Sequence, residues 1–148
     1  MADKSVINKI FPAFTWEVER GKIREMVQAI GDDNAIYVNK DIAKQEGYED
    51  CPASPTFVFV PMMWTGALLN VIKELKINFS RVLHGEESYE YFRDIYPGDV
   101  LKGEIKLVSI DEKTGKSGSM ELIRWETLYT NQLNEPVVKA STLLVERK

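Results

Sequence analysis

Apolar and polar positions change their rhythm at Val82: before it apolar residues recur at helical spacing or in one unbroken run, and after it they alternate. Phe14-Thr15-Trp16-Glu17-Val18 reads as a short strand that feeds a helix. In that helix Ile23, Met26, Val27 and Ile30 fall at i, i+3, i+4 and i+7 and form one apolar stripe. Gly31 stands where a left-handed residue would stop it. Asn39 is placed to cap a short helix through Gln45, with Gly47 as the stop. The run Phe57 to Ile72 is apolar on nearly every side, so the pattern predicts a helix from about Thr56 to Ile72 that is buried all round. Ser54 and Pro55 suit its N-cap and first position. Alternatively, Pro61 begins the regular part and leaves a looser turn ahead of it.

Four strands are predicted beyond this point: Val82 to Phe92, Val100 to Ile110, Ser117 to Thr130 and Val137 to Val145. The segments Tyr96 to Asp99, Asp111 to Gly115 and Asn131 to Pro136 carry the turn residues between them. In the third strand Ile123, Trp125, Thr127 and Tyr129 share one face while Arg124 and Glu126 share the other. A central apolar helix followed by an antiparallel meander is an α+β arrangement in which the sheet must wrap the helix, a hotdog fold. One such sheet leaves an edge strand unpaired, so a dimer joined through sheet edges is expected.

Composition narrows the class. The chain has 148 residues, 44% hydrophobic and 28% charged, which fits one globular domain spanning 1–148 and not a disordered chain. The stretch from Phe57 to Val71 is about fifteen residues and is interrupted by Pro61, Thr65 and Asn70, too short to cross a bilayer. The first residues, Met1-Ala2-Asp3-Lys4-Ser5, show no secretion pattern, and the lone Cys51 cannot form an internal disulfide, so a cytoplasmic location is expected. A net charge of −4 argues against general nucleic-acid binding, which needs a basic footprint. A local group such as Arg93, Lys102 and Lys106 could still hold a nucleotide-tailed thioester. Neither a glycine-rich phosphate loop nor a dinucleotide fingerprint is present, and one His with one Cys makes no transition-metal cluster. No cofactor is expected.

The segment Gly31-Asp32-Asp33-Asn34-Ala35-Ile36-Tyr37 resembles the signature of the MaoC-like (R)-specific enoyl-thioester hydratases and dehydratases, Gly-Asp-x-Asn-Pro-aliphatic-His. Gly31, Asp32, Asn34 and Ile36 match, Ala35 replaces the proline and Tyr37 the histidine. The helices around the motif follow the family's order. Leu83-His84-Gly85-Glu86-Glu87-Ser88-Tyr89-Glu90-Tyr91, ending at Pro97-Gly98-Asp99, looks like the N-terminal type of MaoC-like domain. The likeness covers nearly the whole chain and is greatest to the substrate-binding A subunits of heterodimeric (3R)-hydroxyacyl-ACP dehydratases. It implies an acyl-CoA or acyl-ACP substrate in fatty acid metabolism. In complete enzymes, it further implies, an Asp and a His hold one water that adds to C3 of a trans-2-enoyl thioester while C2 is protonated.

Such chemistry needs two titratable groups on one water and donors at the thioester oxygen, where enolate charge builds. Asp32 can be one group, or simply a loop residue that bonds nearby backbone. Tyr37, with an ordinary phenol pKa near ~10, can only donate or orient. Asn34 completes the motif. His84, the sole histidine, is either a substitute base or a hydrogen-bonded structural residue. Cys51 with His84 as nucleophile and base lacks an orienting third group. Ser54, Thr56 and Phe57 could supply donors at the start of the apolar helix, although the family's His-Gly dipeptide is absent there. Phe57, Phe59 and Trp64 belong to the core or line an acyl groove. Three readings follow: a subunit that binds acyl chains and pairs with a complete MaoC-like chain; a non-catalytic thioester-binding homodimer; and a self-sufficient homodimeric hydratase using Asp32 and His84.

Overall fold

The computed structural model describes residues 4–115 and 118–147. Strand β1 (Phe14–Glu17) leads into helix α1 (Arg20–Ile30), and a 3-10 turn at Ala35–Tyr37 leads into α2 (Lys40–Gln45). The apolar centre is α3 (Phe59–Trp64) and α4 (Ala67–Glu74). Four strands follow: β2 (Val82–Tyr91), β3 (Val100–Gly115), β4 (Gly118–Thr130) and β5 (Pro136–Arg147). They form an open antiparallel sheet in the order β1-β3-β4-β5-β2, so β1 and β2 are its edges.

The expected α+β layout is present, and the stripe of α1 turns Ile23 and Val27 into the core while Ile30 stays exposed. Gly31 ends α1 in the left-handed region at φ 72°. Asn39 caps α2 by accepting from the N–H groups of Asp41 and Ile42. Alternation in β4 buries Ile123, Trp125, Thr127 and Tyr129 and leaves Arg124 and Glu126 half-buried on the other face.

Four expectations need correction. The single helix from Thr56 to Ile72 is two helices: Gly66 takes a left-handed conformation at φ 74°, which glycine adopts without steric cost. Just ahead of it, the Thr65 hydroxyl donates to the Pro61 carbonyl at 2.7 Å, drawing that carbonyl away from a regular helix end. Ser54 and Pro55 do not open a helix; residues 55–58 form a turn, and regular structure begins at Phe59 behind Val58. In the single chain the central helices are not buried all round. Val71 and Ile72 are enclosed, but Phe59, Met63, Trp64 and Leu69 lie on an open side. A sheet that covers one side of a helix cannot cover the other. Finally, Asp111 to Gly115 is strand, because pairing between β3 and β4 runs to Gly115 opposite Gly118. The expected start of β4 at Ser117 lies outside the described residues. Smaller shifts move the end of β1 to Glu17 and of β2 to Tyr91, and start β5 at Pro136.

The core is one cluster joining α1, α3, α4 and the inner face of the sheet. Its tightest point lies where β1 meets β3. Phe14 pairs with Gly103, and the Phe14 ring occupies the space a side chain there would need: a Cβ on Gly103 would sit 2.2 Å from Phe14 Cζ. The same ring meets Tyr129 edge-on at 5.8 Å.

Candidate functional site

Two regions hold the candidate residues. The first is the loop between α1 and α2. Its backbone is fixed by its own side chains: Asp32 Oδ1 accepts from the Asn34 N–H at 3.0 Å, and Asn34 Oδ1 accepts from the Ile36 N–H at 3.1 Å. Both polar motif residues therefore act locally as turn formers. Tyr37 is half-buried against the core. Burial first, then the nearby charges of Asp32 and Tyr48, push its phenol above the ordinary range, so it can donate a hydrogen bond but not act as a base. Asp32 and Asn34 line a shallow cleft with Val27 and Val38.

The loop is clipped from outside by Asp50. Its two oxygens receive Arg20 Nη1 and Nη2 at 2.7 and 2.9 Å, and Lys40 Nζ adds a third contact at 2.8 Å. Arg20 opens α1 and Lys40 opens α2, so one carboxylate ties the starts of the two helices that flank the motif. Hydrogen bonds from Arg20 and then Lys40 hold the Asp50 carboxyl well below its usual range. Cys51, buried beside this clip, gives its N–H to Asp50 and has no hydrogen bond to His84.

The turn at 55–58 is anchored from the sheet. Tyr91 donates to the Pro55 carbonyl at 2.7 Å and Tyr129 to the Val58 carbonyl at 2.8 Å. Within this turn Phe57 is fully buried, Thr56 is exposed, and the Ser54 hydroxyl is buried with no hydrogen-bond partner among the described residues. A buried hydroxyl without a partner is uncommon and fits a position that meets a ligand oxygen or a water. Trp64, 65% exposed, lies under the Lys22 ammonium at 4.6 Å, a cation-π contact on the surface.

The second region is an apolar cleft of about 280 Å³ between the central helices and the sheet. Phe59 and Met62 from α3 and Leu68 from α4 form its roof, Trp125, Thr142 and Leu144 its floor, and His84 its wall. His84 stacks on Phe59 with ring centres 6.4 Å apart, and its Nε2 lies 3.0 Å from Glu87 Oε2. Glu87 Oε1 in turn accepts from the Thr142 hydroxyl at 3.0 Å. Neither Glu87 nor Thr142 was anticipated. In a regular strand residues three apart face opposite sides, which hides the pair. Here the β2–β5 register slips between His84 and Glu86, so His84 faces Leu144 and Glu87 faces Thr142, on one side. The legible signal was Gly85, a glycine inside a strand pattern, which marks a bulge.

The structure does not bring Asp32 and His84 together: they line different clefts, and His84 is committed to Glu87. Arg93, offered as part of a basic group, pairs with Glu135 at 2.9 Å, while Lys102 and Lys106 stand exposed on β3. Among the described residues no group of three or more His, Cys, Asp or Glu could hold a metal ion, and no helix is long and apolar enough to cross a membrane.

A family model described as the FAS1-like dehydratase domain region matches residues 5–140. A UPF0336 protein of Streptomyces avermitilis is 34% identical over 146 residues, covering 98% of this chain and 95% of that one. Another from Thermobifida fusca is 35% identical over 132 residues, covering 89% and 84%. Among solved structures, the HadBC (3R-hydroxyacyl-ACP dehydratase) complex of Mycobacterium tuberculosis superposes with a TM-score of 0.80 at 22% identity, covering 95% of this chain and 96% of that one. The ChsH1-ChsH2 complex of the same organism gives 0.78 at 22% identity, covering 98% and 86%. A MaoC-like dehydratase gives 0.84 at 24% identity, covering 98% of this chain and 43% of that longer one. The shared architecture is the hotdog fold.

Proposed function

The chain belongs to the FAS1-like dehydratase-region family, and from that membership we propose that it is one subunit of a (3R)-hydroxyacyl-thioester dehydratase, in reverse a trans-2-enoyl-thioester hydratase, whose catalytic Asp–His pair lies on a partner chain. The observation that carries this reading is the motif loop. Tyr37 occupies the histidine position with a phenol held above its ordinary range, and Asp32 and Asn34 each give an oxygen to their own backbone. A loop of this kind keeps the family's Asp but lacks the histidine that completes its Asp–His pair.

In this reading residues 1–148 act as one domain in the cytoplasm, and the substrate is an acyl chain on CoA or an acyl carrier protein. Dehydration removes a proton from C2 and protonates the departing C3 hydroxyl; both transfers fall to the partner's Asp and His. This chain supplies the acyl site. The apolar cleft beneath Phe59 receives the chain, and Ser54, just ahead of the 55–58 turn and with a buried hydroxyl that has no partner among the described residues, is the residue there best suited to meet a thioester oxygen. Two similar structures are complexes named for two components, HadBC and ChsH1-ChsH2, which supports a partner of the same fold. The self-sufficient alternative requires His84 beside Asp32, and the separation of their clefts gives it no support.

The test is an assay of the pure chain on a short trans-2-enoyl-CoA, alone and with a MaoC-like chain carrying an intact Asp–His pair that co-purifies from the native cell. The chain alone is expected to be slower than the pair by about 10²–10⁴-fold, the usual worth of a positioned acid or base. Tyr37→His leaves most of that gap, because Ala35 and Pro55 also alter the surroundings. Robust turnover by the pure chain, abolished by His84→Ala, would overturn the subunit reading.

A further inference from the structure

The hydrogen bonds around Glu87 restrict what the cleft can recognise. A carboxylate only accepts, so both hydrogen bonds that Glu87 makes to residues of the cleft, His84 and Thr142, consume protons of those partners. The Thr142 hydroxyl gives its hydrogen to Oε1, and the His84 ring faces Oε2 through Nε2. What remains for a ligand is the oxygen lone pairs of Thr142 and, in a neutral ring, the second imidazole nitrogen, all acceptors. Below them Trp125 holds an indole N–H that is buried with no acceptor among the described residues. The other roof and floor positions, Phe59, Met62, Leu68 and Leu144, offer hydrocarbon.

We infer that this cleft is selective for an acyl chain carrying a hydroxyl group, remote from the thioester, over an unsubstituted or keto-bearing chain of the same length. The inference rests on the acyl-binding role proposed above and names the substrate class of that cleft. A plain alkyl chain would cover Thr142 and His84 without giving them a partner, and a buried polar group left unpaired weakens binding. A ketone can accept from the Trp125 N–H but gives no hydrogen to Thr142 or His84. A hydroxyl donates its one hydrogen to one of them and keeps lone pairs for a donor such as the Trp125 N–H. An amide, as in a pantetheine arm, would also donate, but it buries a carbonyl on each unit among hydrocarbon walls. Ser54, assigned above to the thioester oxygen, does not line this cleft, so the hydroxyl the cleft reads lies farther along the acyl chain.

The test is calorimetric titration of the full chain with three probes of equal length: dodecanoic acid, ω-hydroxydodecanoic acid and the methyl ketone analogue. The hydroxy acid is expected to bind about tenfold more tightly than dodecanoic acid, the effect of one satisfied against one unsatisfied buried group, with the ketone behind it. Thr142→Val should remove most of that preference, chiefly by tightening dodecanoic acid, whose chain then covers no unpaired hydroxyl, and the circular dichroism spectrum and unfolding midpoint of the variant check that it folds. Glu87→Gln, whose carboxamide can itself donate, returns one proton to the cleft and should narrow the gap between hydroxy and keto acids. Equal binding of the three, or tighter binding of the ketone, overturns the hydroxyl selectivity and leaves the acyl-binding role standing. Binding of none of them overturns both.

Discussion

The loop between α1 and α2 and the face where the sheet meets the central helices are built by opposite means. The loop is held by exposed polar groups: an Asp turn, an Asn cap and the Asp50 clip. The sheet side is held by buried apolar rings, with a few hydroxyls as pins: Phe14 on Gly103, Tyr129 on Val58, Trp125 under the cleft. The family's signature motif lies in the loop, although the likeness runs over nearly the whole chain. The ligand-shaped space lies on the sheet side. The signature loop and the apolar cavity are thus in different places, the arrangement that the proposed subunit role calls for.

That contrast implies unequal costs of damage, and the largest belongs to Gly103→Ala. Its new Cβ would lie 2.2 Å from Phe14 Cζ at the outer edge of the ring, which cannot swing away without losing the edge contact to Tyr129. Overpacking of this kind costs typically 1–3 kcal/mol, and a loss of about 3 kcal/mol in urea unfolding is expected here. A loss below ~0.5 kcal/mol, the range of ordinary surface changes, would show that the sheet edge is far softer than its packing suggests.

Tyr129→Phe comes next. It removes one oxygen and leaves the Val58 carbonyl without its buried donor, so about 1.5 kcal/mol should be lost. The same change frees one end of the 55–58 turn, whereas Tyr91→Phe frees the other at a more exposed site and should cost less. Equal effects from the two would mean that the turn is held as a unit and not chiefly from its buried end.

Much of this division was legible in the sequence, and the failures have physical causes. Gly31 and Asn39 were readable because a left-handed stop and a side-chain cap are local devices. The faces of β4 were readable because burial on one side forces period two. The break at Gly66 was not, because an apolar run hides a glycine whose φ is decided by packing. The reach of the β3–β4 hairpin to Gly115 was missed because Asp111 to Thr114 carry turn-like residues on strands exposed to solvent. In the candidate site, Asp32, Asn34 and Tyr37 were found by motif, with the loop-forming use of Asp32 kept as an open reading. Glu87 and Thr142 depend on a one-residue slip of register and on a partner strand fifty-five positions away in the chain, and neither relation has a local signature apart from Gly85.

The smallest expected effect belongs to the loop, and pH separates it from the rest. Asp50→Asn keeps the shape of the side chain and removes the charge that Arg20 and Lys40 share. Asp50 is mostly covered, with 16% of its side chain exposed, but Arg20 and Lys40 reach it from the solvent side, so screening reduces the loss to about 1 kcal/mol or less at neutral pH. The sign of its pH dependence is fixed by linkage. A carboxyl whose pKa is lower in the folded chain contributes stability that is fully present above its ordinary value, near ~4, and is lost as pH falls toward the folded value. The curves of the native chain and of Asp50→Asn should therefore run parallel above about pH 5 and converge below ~4. Raised salt should narrow the gap as well, since the three groups stand at the surface. A difference that persisted undiminished under strong acid and high salt would mean that Asp50 acts through shape and packing, and the loop would then resemble the sheet more than its exposed contacts indicate.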